Sequence, residues 1–226
     1  MQIEIKSALL LASAAIPAPA KAQAKSDEQA WATGSVNVLL SDNWRLSQEV
    51  VVRVSDNRHG VYEVESNTLL GYKLSKDVTV AAGYTHDPQY SGGTFSAMEH
   101  RAREQVTIDN VARIGAGKMS LRMRTEQRWR EGVQGTAWRV RPYAKVSLPL
   151  AGKVALNLSS EAFFNLNRTP FQRTEGLDRV RNLATLSMPL AKALALEAGY
   201  MNQHGLVRQG PDTSDHVAYF AISLNI

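Results

Sequence analysis

The residues with the widest chemical repertoire are five histidines, His59, His86, His100, His204 and His216, and no cysteine accompanies them. No two stand at a metal-ligand spacing such as His-x-x-x-His. A serine nucleophile two positions after its histidine base would allow the hydrogen bond that activates it. His100 is followed by Arg-Ala, His204 by Gly-Leu, His216 by Val-Ala and His86 by Asp-Pro, so none offers that arrangement. His86-Asp87 and Asp215-His216 are sequence neighbours, which an extended chain points to opposite faces. The histidines thus read as solvated loop residues. No catalytic set, metal site or cofactor is expected.

A second constellation is made of charges. In LRMRTEQRWR, Arg122, Arg124, Glu126, Arg128 and Arg130 alternate with Leu121, Met123, Thr125, Gln127 and Trp129. Alternation of this kind places all five charges on one face of a strand. Arg139 and Arg141 repeat the pattern, as do Glu49 with Arg53, Glu99 with Arg101 and Arg103, and Arg179 with Arg181. Glu161 and Glu197 join the same face. These positions, Arg130 apart, are the candidate site, with ten arginines against five glutamates. Two uses suit such a face. Arg and Glu can neutralise each other across neighbouring strands and fill an interior, or the arginine excess can line a narrow path for small anionic solutes.

The elements that must carry these charges have β period. Eleven amphipathic segments are legible, at about 30–40, 43–55, 61–75, 78–86, 99–114, 118–130, 137–148, 153–164, 175–188, 193–203 and 215–225. Tight turns at 41–42, 75–77, 115–117, 149–152 and 189–192 alternate with longer breaks at 56–60, 87–98, 131–136, 165–174 and 204–214. Short periplasmic turns and longer outer loops are the habit of an antiparallel transmembrane β-barrel. Such barrels in bacteria have even strand numbers, so about twelve strands are expected, with ten as the alternative. Trp31, Trp44, Tyr62, Tyr84, Trp129, Trp138 and Tyr200 fall near strand ends, as interface girdles do.

Composition and the chain ends bear on location. The mean hydropathy of −0.26 leaves no apolar run of about 20 residues for a helical span, a test that amphipathic barrel strands escape. The net charge of +5 arises from interleaved acids and bases without a Lys/Arg block, which argues against nucleic acid as a partner. Lys6, the apolar run Ala8 to Ile16, and Ala22-Gln23-Ala24 have the order of a secretory signal peptide. Residues 1–24 are therefore read as a leader and 25–226 as one barrel domain. At the other end Phe220, Ile222, Leu224 and Ile226 alternate with small or polar residues, a terminal strand of the type the barrel-assembly machinery engages.

The run Arg122 to Arg128, Glu99 with Arg101, Arg103-Glu104-Gln105, the pair Arg139 and Arg141, and the dipeptides Gly83-Tyr84 and Gly199-Tyr200 resemble the bacterial family called domain of unknown function 2490. The resemblance covers most of the chain after the leader. It implies a secreted protein of similar length built as a barrel in the bacterial outer membrane, in contact with outer-membrane lipid. It implies no activity. Three functions stay open: a barrel with a charged, largely filled lumen, a narrow channel for anionic small solutes, and a lipid-acting outer-membrane enzyme.

Overall fold

The computed structural model describes residues 24–226, so the expected leader lies outside the described residues, save Ala24. Among the described residues eleven strands follow one another without a helix: β1 (Lys25–Leu39), β2 (Trp44–Ser55), β3 (Gly60–Lys73), β4 (Val78–Ser91), β5 (Thr94–Ile114), β6 (Gly117–Arg130), β7 (Val133–Pro149), β8 (Ala155–Asn165), β9 (Gly176–Pro189), β10 (Leu194–Gly205) and β11 (Thr213–Asn225). Each pairs antiparallel with its sequence neighbours, and β1 closes the barrel against β11 in parallel. That seam explains the count. An even number follows when first and last strands meet antiparallel; a parallel seam, with Lys25 opposite Thr213 and Asn37 opposite Asn225, closes on an odd one. Eleven strands thus stand where about twelve were expected, and the two chain ends emerge at opposite ends of the barrel.

One end carries tight turns with a recurring geometry. Leu40 N donates to Trp44 O, Leu74 N to Val78 O, Leu150 N to Val154 O and Leu190 N to Leu194 O, at 2.8–2.9 Å. The opposite end is more varied than the turn residues suggest. The expected breaks at 87–98 and 131–136 are largely strand, because β4 and β5 meet across Gly92-Gly93, and β6 and β7 across Glu131-Gly132. Gly92 and Gly93 have φ of 55° and 77°, which a two-residue hairpin turn of this hand requires. Only 166–175 and 206–212 are substantial loops at this end.

The distribution of side chains is inverted relative to a water-soluble domain. Among the described residues, seven apolar side chains are buried and twenty-three polar or charged ones are. Outward positions instead carry Leu46, Val50, Leu70, Val106, Leu121, Met123, Leu158, Leu186, Phe220 and Ile222, all well exposed. Trp44, Tyr84, Trp129, Trp138 and Tyr200 also point outward. Trp31 and Tyr62 do not, contrary to their expected place in a girdle. Trp31 belongs to the inward parity of β1, and Tyr62 is the extra residue of a bulge that pairs Arg53 with Glu63 but Val54 with Val61. A bulge re-aims a side chain in this way.

The Gly-Tyr dipeptides acquire a physical reason. A Cβ on Gly83 would lie 2.0 Å from Thr68 O, and one on Gly199 would lie 2.0 Å from Ala184 O. Neighbouring backbones approach too closely there for any side chain, while the following Tyr84 and Tyr200 stand outside.

Candidate functional site

Every inward charge expected from parity on β5, β6 and β7 does point inward, and most of them join one network. Its floor is Glu126 on β6, wholly buried. Arg141 Nη1 lies 2.6 Å from Glu126 Oε1. Arg103 and Arg139 each stand 3.9 Å from the same carboxylate. Arg141 also holds Glu161 of β8 at 2.8 Å, and Arg122 shares that carboxylate. The opposed charges bridge β5 through β8, so ion pairing runs laterally around the barrel wall.

A second knot lies nearer the loop end. Glu99, also wholly buried, accepts from Arg101 Nε at 2.7 Å and from Arg128 Nε at 2.9 Å. Arg130 stands 3.4 Å away. Arg101 reaches on to Asp87 of β4 and to Glu65 of β3, at 2.5 and 3.2 Å. Glu65 and Glu63 then hold Arg53 of β2 at 2.8 and 2.6 Å. Oxygens of Glu63, Glu65 and Asp87 lie within 4.8 Å of one another, close enough to ligate an ion. Arg53 and Arg101 already supply the positive charge at that point, so the three carboxylates are committed to guanidinium groups.

Five expected members stand apart from these pairs. Arg124 has the like-charged Arg141 directly opposite and donates instead to Gln105 Oε1, at 2.8 and 3.0 Å. Glu49 accepts from Asn67 at 3.0 Å, and Glu197 accepts from Thr185. Arg181 donates to Gln203 Oε1 at 2.6 Å. Arg179 pairs with its neighbour Asp178 at 2.8 Å.

Sequence reasoning missed several participants. Asp87 falls in the break expected at 87–98, but β4 runs on through Pro88, which occupies a gap in the β3–β4 pairing where no donor is needed. The continuing alternation Thr85, Asp87, Gln89 was the available signal. Gln172 had none. It lies in the loop 166–175, whose turn Thr169 to Gln172 folds inward so that Gln172 Oε1 accepts from Arg128 at 2.9 Å. The aromatic Phe163, almost wholly buried, was on the right parity but carried no charge.

The histidines take outward or rim positions. Tyr84 is hydrogen-bonded to His100 Nδ1, and Tyr200 in the same manner to His216 Nδ1. The two pairs share the spacing and follow the two close-approach glycines, so hairpins β4–β5 and β10–β11 are built alike. His204 faces Asp212 at 3.5 Å.

The network divides the lumen into three spaces. A cavity of about 540 Å³ opens at the loop end and one of about 180 Å³ lies in the middle; Trp31, Arg53, Glu65, Arg141 and Arg181 line both. The third, about 380 Å³ at the tight-turn end, shares no lining residue with the middle one. Arg103 and Arg124 line the middle space and Gln105 the third, so this layer separates them. Barrels of about eight strands are filled by side chains, whereas sixteen or more leave a channel. Eleven strands enclose an intermediate width, which arginine has the length to fill.

A closed β-barrel with an apolar exterior and an ion-paired interior is the class these features define. The chain belongs to the family described as protein of unknown function (DUF2490), which matches residues 28–214. It is 26% identical to an uncharacterized protein of Methylorubrum extorquens over 224 residues, spanning 96% of each chain. No solved structure matches it.

Proposed function

We propose that the chain is an outer-membrane β-barrel whose lumen is closed by its own arginine–carboxylate network. The observation that carries this is the inversion of burial: large apolar side chains on the outside of the barrel, ion pairs within. Soluble monomers rarely expose contiguous apolar surface beyond a few hundred Å², and a closed barrel leaves no sheet edge unsatisfied in lipid. Exposed Tyr84, Trp129, Trp138 and Tyr200 supply amphipathic rings suited to a membrane–water interface. The alternating face of β11, with Phe220 and Ile222 outward, is the segment offered to the barrel-assembly machinery. Fractionation tests the reading: the chain should sediment with outer membranes and migrate differently before and after boiling. Release into the soluble periplasm without detergent would end it.

The second reading is a narrow path for small anions. The lining residues that the upper two cavities share and the excess of arginine favour it, and the layer below the middle cavity opposes it.

A further inference from the structure

We infer that the cavity at the loop end is a binding site for a small, multiply charged oxoanion, a solute bearing phosphate or carboxylate groups. This deepens the closed-lumen reading and rests on it, since a sealed floor makes the cavity a vestibule rather than a passage. Ten of the side chains lining the vestibule are arginines, and only four are acids. Such an excess would be unremarkable on an open surface, where water screens it. Here the guanidinium groups converge.

Phe163 is the centre of that convergence. Arg141 and Arg181 lie 4.3 and 4.5 Å from its ring centroid, and Arg139 and Arg179 lie 5.6 and 5.7 Å away. Four cations around one phenyl ring repel one another, and the ring quadrupole offsets only a part of that repulsion. Their carboxylate supply is uneven. Arg141 has Glu126 and Glu161, and Arg179 has Asp178. Arg139 reaches carboxylates only at 3.9 Å. Arg181 has no carboxylate within 4 Å among the described residues; its polar partner is the neutral Gln203, and it lies 4.7 Å above the Trp31 ring. Arg181 spends Nε on Gln203 and Arg139 spends Nε on Asn165, at 2.6 and 2.9 Å, so the Nη groups of both face a space open to solvent without a hydrogen bond among the described residues.

The ligand class follows from the donors and the walls. Guanidinium groups present planar forks that match two oxygens of a carboxylate or phosphate. Several forks facing one cavity favour an anion with more than one such group. A volume of about 540 Å³ holds a small solute, and the rings of Tyr62 and Phe171 that line it carry further guanidinium groups, Arg58 at 4.4 Å and Arg130 at 5.4 Å. The loop 166–175, pinned by Gln172 to Arg128 and to Trp138 O, forms one side of the mouth.

The test uses the whole folded barrel in detergent at low ionic strength, titrated in a calorimeter with inorganic pyrophosphate, with citrate and with neutral glucose. Saturable binding of pyrophosphate, citrate or both is expected, with none for glucose; the anion that binds distinguishes phosphate from carboxylate chemistry. Arg181→Met keeps the apolar stem and should weaken binding at least tenfold, while Gln127→Ala on the outer face should leave it unchanged. Arg139→Met provides the same test should Arg181→Met lose its heat-modifiable mobility. Absence of saturable anion binding, or equal binding by both methionine variants and the wild type, would overturn the site. Bilayer recordings on the same preparation separate the two ideas: steady conductance would refute the closed lumen without touching the calorimetric result.

Discussion

Arg141 does not pair with the residue opposite it; it crosses diagonally to Glu126, with Nη1 2.6 Å from Oε1. Register places Arg124 opposite Arg141 and Arg139 opposite Glu126. Like charges directly opposed are unfavourable, and the diagonal contact relieves this by drawing Arg141 toward the carboxylate while Arg124 turns to Gln105. One glutamate thus serves three cations from the two strands that flank it, Arg103 of β5 and Arg139 and Arg141 of β7. Its loss should be felt widely.

Glu126→Ala leaves Arg141 with only Glu161 and deprives Arg103 and Arg139 of the counter-charge they share at 3.9 Å. Breaking a buried pair by removing one partner costs about 3–5 kcal/mol. Thermal unfolding of the detergent-solubilised barrel should show a large drop for Glu126→Ala and almost none for Gln127→Ala. Equal shifts would mean that the two residues do not face opposite sides.

The double variant Glu126→Leu with Arg141→Met should be more stable than the sum of the single losses implies. Removing both members of a buried pair spares the uncompensated charge that either single change leaves. A double-mutant cycle measures this, and strict additivity would contradict a direct contact.

Much of the above was legible in the alternation of residue types. Arg122 to Arg130 displayed two faces of opposite character, and parity alone assigned the inward set. The family motif was legible too, because Gly83 and Gly199 are positions where the neighbouring backbone allows no Cβ. What escaped were features that period cannot encode. The bulge at Tyr62 changes parity by one extra residue. The inward turn of Gln172 belongs to a loop with no period at all. Strand number depended on how β1 meets β11, a long-range pairing that no local pattern records.

The close-approach glycines give a sharper expectation. Gly83→Val or Gly199→Val would drive a side chain into the carbonyl of Thr68 or Ala184, and backbone at a barrel wall has nowhere to move. Folding yield, read by heat-modifiable mobility, should collapse for both. Gly34→Ala is the contrast, since nothing lies within 4 Å of a Cβ there; it should fold normally.

The proposed closure of the lumen rests on the layer of Arg103, Arg124 and Gln105 between the middle and lower cavities. Planar-bilayer recordings of the wild type should be silent. Arg103→Ala combined with Arg124→Ala should produce discrete conductance, because two long side chains leave that layer together. A conducting wild type would favour the anion path.

The central claim is that apolar outer faces meet lipid while the charged inner faces fill the lumen. The chain has no cysteine, so single cysteines carrying nitroxide labels report each position cleanly in reconstituted bilayers. Labels at Leu121, Met123, Leu158 and Leu186 should collide freely with lipid-dissolved oxygen and little with a water-soluble nickel chelate. Labels at Ser159 and Thr185 should be shielded from oxygen, giving a period of two along β8 and β9. High nickel accessibility at the four outward positions, or no alternation between the two sets, would contradict the account.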